Sequence, residues 1–194
     1  MDLLIAISQG VGVSLATGVR TFLPPLAVGA LARADAGIDF EGTGYGFLES
    51  VPWLAALVLL IALVALAARA RVAIPAIAVA TCATAIGALV FAGTLADEGY
   101  AAGAGLAAGA FCAVLGFLAG QTFFGGAAAR ARSGGEEEAA SLVELFGQGA
   151  AFVLAVLAVL VWPVSWIALA FAVWVILVQR RRSAEKYEGL RILR

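Results

Sequence analysis

The sequence predicts an all-α polytopic membrane protein, and three observations carry this prediction. Of its 194 residues, 63% are hydrophobic and only 13% are charged, whereas a soluble domain is about half apolar and a quarter charged. The mean hydropathy is +1.04. The apolar residues fall into six stretches, each long enough to cross a bilayer as a helix of about 20 residues. This composition excludes a secreted domain, a nucleic-acid binder and a soluble enzyme with one compact core.

The six apolar stretches are predicted to be membrane spans. The first, residues 3–32, is interrupted by Arg20 and by Pro24-Pro25, and a Gly-rich acidic loop follows it. The other five lie at 52–68, 72–96, 100–129, 142–161 and, after a turn at Trp162-Pro163, up to residue 178. We therefore predict a single membrane domain, 1–194, that ends in a basic cytoplasmic tail at 179–194.

The distribution of basic residues predicts how the spans are oriented. With both termini in the cytoplasm, ten of the twelve Lys and Arg residues lie on the inner side. Only Arg33 then lies outside, and Arg20 lies within a span. Because cytoplasmic loops are enriched in Lys and Arg, we predict an N-in/C-in protein of the bacterial or archaeal cytoplasmic membrane.

Two segments of the chain resemble each other. Arg20-Thr21-Phe22 in the first stretch aligns with Gln121-Thr122-Phe123 in the fourth, and Pro24-Pro25 aligns with Gly125-Gly126. With three spans in each half, residues 1–98 and 99–178 would form an inverted-topology repeat, a plan common among secondary transporters. Chance similarity between Ala- and Gly-rich segments is the alternative.

Arg20 is the main candidate for binding a substrate. A guanidinium within hydrocarbon is costly unless it is paired, hydrated or able to reach the surface. If residues 3–32 form one long tilted helix, Arg20 lies deep, and its N–H donors suit an anionic group. If the crossing ends near Pro24, Arg20 instead extends to the lipid headgroups as an anchor.

Thr21, Gln121 and Thr122 complete the predicted substrate-binding set. The repeat would bring Gln121 toward Arg20; without the repeat, such uncharged side chains bond to neighbouring helices or to their own backbone. Pro24, Pro25, Gly125 and Gly126 are the predicted broken-helix positions. Proline removes a backbone donor, and irregular backbone persists in membranes where it is buried in protein or lines a cavity.

Small residues recur every four positions along the first and fourth stretches. This spacing lets helix backbones approach closely, so we predict that the first span packs against the fourth. The predicted packing positions are Gly10, Ser14, Gly18, Gly105, Gly109, Gly116 and Gly120.

Few residues are suited to enzyme chemistry. The sequence has no His, the usual general base near neutral pH. Cys82 and Cys112 lie within apolar runs, where free Cys behaves as a small hydrophobe. Glu144 follows Ser141 at the spacing of a capping box, which predicts a helix start rather than an ion ligand. We therefore predict no enzyme activity, no metal site and no cofactor.

The segment Ala16-Thr-Gly-Val-Arg20-Thr-Phe-Leu-Pro-Pro25 resembles the first span of a family of uncharacterised bacterial integral membrane proteins, catalogued as a domain of unknown function. That family carries a similar Ala-Thr-Gly-Leu-Arg-Ala-Phe-Leu-Pro run. The resemblance extends more weakly to the small-residue-rich fourth span, the loop with Arg130 and Arg132, and the span start at Ser141. It implies the same membrane layout and no particular substrate.

The leading functional prediction is a small transporter or channel-like protein for a small anionic or neutral solute, with Arg20 attracting an anion. The spans contain no midplane Asp or Glu, which argues against a carrier of cations or protons. The alternative is a membrane scaffold, lipid-binding protein or assembly component that transports nothing. The predicted partners are the lipid bilayer, a small anion or lipid phosphate, and a second copy of the chain.

Overall fold

The computed structural model describes residues 2–70 and 72–191, with residues 182–191 described by their helical backbone alone. In this part of the chain every regular element is helical. The α-helices are α1 (Asp2–Val19), α2 (Leu23–Arg33), α3 (Val51–Arg69), α4 (Ala76–Asp97), α5 (Ala102–Gly120), α6 (Gly126–Ser133), α7 (Glu137–Leu160) and α8 (Val164–Arg191). A 3-10 turn lies at Gly46–Glu49 and a π-helical turn at Gln121–Gly125.

Six helices among the described residues are long and apolar enough to cross a membrane. They are α1, α3, α4, the continuous rod made by α5, the π-helical turn and α6, and then α7 and α8. The predicted all-α architecture and the number of spanning helices are confirmed. The predicted tail at 179–194 continues α8 as far as Arg191, and residues 192–194 lie outside the described residues.

The first apolar stretch is a helical hairpin. Helix α1 ends at Val19, and α2 starts at Leu23 with Pro24 and Pro25 in its first turn, where a missing backbone N–H leaves no hydrogen bond unmade. Helix α2 runs back along α1. The evidence is a hydrogen bond of 2.9 Å from Nε2 of Gln9, in the first half of α1, to the carbonyl of Gly37, which lies beyond the end of α2. The single long helix over 3–32 is therefore not formed.

One end of the bundle, here called the Asp97 end, holds the start of α1, the end of α4 and the start of α8. Trp166 in α8 donates from Nε1 to the hydroxyl of Ser8 in α1 at 2.9 Å. The loop 34–50 also lies here, since the backbone N–H of Asp39 donates to the Asp97 carboxylate at 3.3 Å. Each of these elements therefore begins or ends its crossing at this end.

The opposite end, here called the Arg20 end, holds the end of α1, the start of α7 and the later part of α8. Arg20 reaches the carbonyl of Glu144 near the start of α7, and Phe171 of α8 packs edge-on against Phe123. Helices α1 and α8 thus run in the same direction. The start of α1 and the later part of α8 therefore lie at opposite ends of the bundle, because α2 adds a reversal that the predicted layout did not include. The N-in/C-in orientation itself stays a prediction.

Helices α1 and α5 lie side by side and run parallel. Leu15 packs on Gly116, and four residues later Val19 packs on Gly120, so residue numbers rise together along the pair. Corresponding helices of an inverted repeat run antiparallel. The structure therefore does not support the inverted repeat, and the two matching segments are instead neighbours at the Arg20 end.

The small residues of α1 and α5 lie at contacts between α1, α4 and α5. A Cβ on Gly10 would lie 2.6 Å from the ring of Phe91, and one on Gly105 would lie 2.8 Å from the Cα of Ala92. The Ser14 hydroxyl donates to the carbonyl of Gly87 at 2.8 Å. These contacts make α1 the central helix of the bundle, with most of its residues buried.

Helix α3 lies at the periphery of the bundle. Leu57 is its one buried residue, and side chains such as Leu59 and Leu66 are 60% and 62% exposed. A helix that is apolar on all sides is suited to a lipid environment, because lipid chains are as apolar as the Leu side chains that face them.

Candidate functional site

The candidate site is built around Arg20, in the bend between α1 and α2. The Arg20 backbone N–H donates to the carbonyl of Ala16 at 2.9 Å, which completes the last turn of α1. Its side chain crosses to α7, where Nη2 donates to the carbonyl of Glu144 at 3.2 Å. The Nε atom is buried and has no hydrogen-bond partner among the described residues. A buried donor without an acceptor is unfavourable, so Arg20 retains unused capacity to bind one.

A cavity of about 250 Å³ lies beside this guanidinium, here called the Arg20 cleft. Its polar side chains are Arg20, Gln121, Arg132 and Glu144, and the rest of its lining is Val19, Gly120, Phe124, Gly125 and Ala128. Two arginines and one glutamate give this lining a net charge of +1. The cleft is thus electrostatically suited to a singly charged anion.

The π-helical turn at Gln121–Gly125 forms one wall of the cleft. Such turns occur mostly as single insertions within α-helices, frequently at functional sites. The helix continues through Gly125 into α6, so the predicted break at Gly125-Gly126 is a local widening. Gly125 lines the cleft, and a Cβ there would lie 3.1 Å from the Gln121 Oε1. Gly126 does not belong to the lining.

Of the four predicted substrate-binding residues, two lie together. Arg20 and Gln121 both line the cleft, whereas Thr21 and Thr122 do not. Adjacent residues on a helix point in directions about 100° apart. Because Gln121 faces the cleft, Thr122 points away from it. Pro24 and Pro25 are buried within the start of α2 and also lie outside the lining.

Glu144 and Arg132 are site residues that the sequence did not identify. The capping box at Ser141 is wrong, because α7 already begins at Glu137 and the Ser141 hydroxyl donates to the carbonyl of Glu138 at 2.7 Å. Acidic residues are stabilised in the first turn of a helix by its dipole, which explains the earlier start. The Glu144 carboxylate instead pairs with Arg132.

The pair between Arg132 and Glu144 differs from the contact of Arg20. The two side chains of the pair are 54% and 47% exposed, and exposed ion pairs contribute little free energy. This pair can therefore rearrange at little cost. Arg20 is better shielded and held by a backbone carbonyl, so it is the fixed cation of the cleft.

Gly147 gives the Arg20 side chain room to lie over α7. It is buried, and a Cβ at this position would lie 2.9 Å from Nη2 of Arg20 and 3.1 Å from the ring of Phe124. Gly147 follows Glu144 by three residues, a spacing that puts both on one face of a helix. Because Glu144 was not identified from the sequence, this spacing points to Gly147 only once the structure has placed Glu144 at the site.

The described residues contain no group of three or more His, Cys, Asp or Glu side chains that could hold a metal ion. Cys82 is exposed and Cys112 is buried, and both are free. The resemblance to an uncharacterised membrane protein family stays a prediction, because no known protein family, curated protein or solved structure matches the chain.

Proposed function

We propose that the protein is a small transporter- or channel-like membrane protein that binds a small anion in the Arg20 cleft. The observation that carries this proposal is the buried Nε of Arg20, which has no partner among the described residues, beside a cavity with a net positive lining. Charge-assisted hydrogen bonds to an anion are roughly twice as strong as neutral ones. An anion in the cleft would supply the acceptor that Arg20 lacks.

The proposed orientation places the Arg20 end in the cytoplasm. Arg33 is the last residue of α2 and lies toward the Asp97 end. Arg71 lies outside the described residues. The helix ends on the Arg20 side carry Arg69, Arg130, Arg132, Arg180 and Arg181. Because arginines concentrate on the cytoplasmic side, the start of α1 would lie outside and the cleft would open to the cytoplasm.

Single cysteines test this orientation. In a chain with Cys82→Ala and Cys112→Ala, Asp2→Cys, Gly44→Cys and Ser133→Cys are labelled one at a time with a membrane-impermeant maleimide. In intact cells we expect labelling at positions 2 and 44, and labelling at 133 only after lysis. If positions 2 and 133 are labelled from the same side of the membrane and position 44 from the other side, the hairpin of α1 and α2 is contradicted.

Binding and flux of inorganic phosphate test the anion site. We expect calorimetric binding of phosphate to the purified protein, and uptake of labelled phosphate into proteoliposomes. Arg20→Gln should abolish both. Arg130→Gln is the matched control, because Arg130 is exposed at the same end and lies outside the cleft lining. Phosphate binding that is equal in the two variants refutes the proposed role of Arg20.

A second candidate is a lipid-binding or assembly component that binds an anion and transports nothing. One observation favours it: beyond the cleft, α1 is packed tightly on α4 and α5 at Gly10, Ser14 and Gly18. The same experiment separates the two candidates. Phosphate binding that depends on Arg20 without any phosphate flux supports the second.

A further inference from the structure

An apolar groove adjoins the Arg20 cleft. It has a volume of about 150 Å³ and lies between α1, α5, α7 and α8. All fourteen residues that line it are apolar or glycine. Val19, Gly120 and Phe124 belong to the walls of both the groove and the cleft. A polar, positively charged site is thus continuous with a purely apolar one.

The groove reaches the outer surface of the bundle. Phe123 and Phe171 line it and are 49% and 51% exposed, so its rim lies where lipid chains would surround the protein. Small residues on α7 and α8, such as Ala150 and Ala168, create the space. An apolar cavity of this kind excludes water.

We infer that the ligand of the Arg20 cleft is an anionic amphiphile, with its head in the cleft and one hydrocarbon chain in the groove. This inference rests on the proposed function of the cleft as an anion site. The net charge of +1 on the cleft lining fits a head with one negative charge, a phosphodiester or a carboxylate. The groove fits an apolar chain, and the two sites meet at shared walls.

The size of the groove sets the length of chain that it holds. An apolar cavity of about 150 Å³ in another protein holds one benzene molecule. The groove has a similar volume and therefore holds a chain segment of roughly six carbon atoms. A free anion would leave this space empty or filled by an unrelated lipid chain, whereas an amphiphile fills both sites at once.

The head and the chain have different roles in binding. The chain leaves bilayer hydrocarbon that is as apolar as the groove, so its transfer contributes little free energy. The attraction comes from the head, through charge-assisted hydrogen bonds with Arg20. The groove selects ligands by shape. A larger side chain introduced into the groove would leave no room for the hydrocarbon chain.

Photo-crosslinking in phosphatidylcholine nanodiscs tests this arrangement. The probes are phosphatidylglycerol and a fatty acid, each with a diazirine in mid-chain, and phosphatidylcholine with the same diazirine as the neutral baseline. We expect crosslinks from one or both anionic probes on the groove segments of α7 and α8. The probe that crosslinks more strongly identifies the head as phosphodiester or carboxylate. Binding of inorganic phosphate is measured in parallel.

Two pairs of variants separate the head from the chain. Ala168→Phe fills the groove, and Ala170→Phe is its control on the exposed face of α8. If Ala168→Phe does not fold, Ala150→Phe fills the groove from α7 instead. We expect Ala168→Phe to abolish anionic-probe crosslinking in the groove, because the added ring occupies the space of the chain, and to leave phosphate binding intact. Arg20→Gln should lower both, and Arg130→Gln neither.

Each other outcome overturns a specific step. If Arg20→Gln abolishes phosphate binding but groove-filling variants leave anionic crosslinking unchanged, the cleft binds a free anion and the amphiphile inference is wrong. If Ala168→Phe lowers crosslinking and Arg20→Gln does not, the groove holds any lipid chain, and the inference is again wrong. If Arg20→Gln changes neither readout, the proposed function fails with it.

Discussion

Gly109 provides the sharpest test of the helix packing that positions the cleft. A Cβ on Gly109 would lie 2.6 Å from the carbonyl oxygen of Gly87 and 2.9 Å from the Cα of Ala88, both in the backbone of α4. The carbonyl contact is thus about 0.8 Å short of the 3.4 Å at which ordinary contact begins. Because backbone atoms cannot rotate away, Gly109→Ala must push α4 and α5 apart.

The expected cost follows from that separation. A gap of about 0.5–1 Å forfeits a quarter to a half of each dispersion contact, and overpacking of a well-packed interior costs roughly 1–3 kcal/mol. Alanine also favours the helix by about 1 kcal/mol over glycine, which hides part of this loss. Gly103→Ala, in the same helix with nothing within 4 Å, carries the propensity gain alone.

The measurement is reversible unfolding in mixed micelles with increasing dodecyl sulfate, followed by the fluorescence of the four tryptophans. We expect the free energy of unfolding of Gly109→Ala to lie about 2–3 kcal/mol below that of Gly103→Ala, the upper part of the overpacking range. Equal stability of the two variants would refute the close approach of α4 and α5.

Three further predictions concern the hairpin and the cleft. Gln9→Leu removes two hydrogen bonds of 2.9 Å, from Nε2 to the carbonyls of Gly37 and Val159. It should lower the free energy of unfolding by about 1–2 kcal/mol. Gln148→Leu, at an exposed position of α7, should not. Gly147→Ala should displace the Arg20 guanidinium and weaken phosphate binding in calorimetry with little change in stability; Gly149→Ala, with nothing within 4 Å, should do neither. Glu144→Gln raises the charge of the cleft lining by one and should tighten phosphate binding about threefold to tenfold at low salt, a gain that high salt removes.

The number of spans was predictable because the thickness of the bilayer fixes the length of an apolar helix. The fold of the first stretch was not. Pro24 and Pro25 are compatible with a kink in a span and equally with the first turn of a new helix. Helix α2, at 11 residues, is too short to cross by itself, so hydropathy merges it with α1.

The site was predictable in part. Arg20 and Gln121 stand out by residue type, because polar groups are uncommon within apolar stretches. Their partners do not stand out: Arg132 and Glu144 lie in the polar region around the start of α7, where charged residues are ordinary. Only the direction of α1 relative to α7 brings them to Arg20, and that direction depends on the reversal at α2.

Arg20 sits at the end of α1 beside the start of α7, where the shorter crossing would put it. Its side chain turns over Gly147 and its Nε is buried, as expected for an arginine that faces a cavity. Arg33, exposed in the last turn of α2, has the exposure that an anchor needs. An arginine whose buried Nε finds no acceptor loses free energy, and an anion bound in the cleft is the acceptor that would restore it.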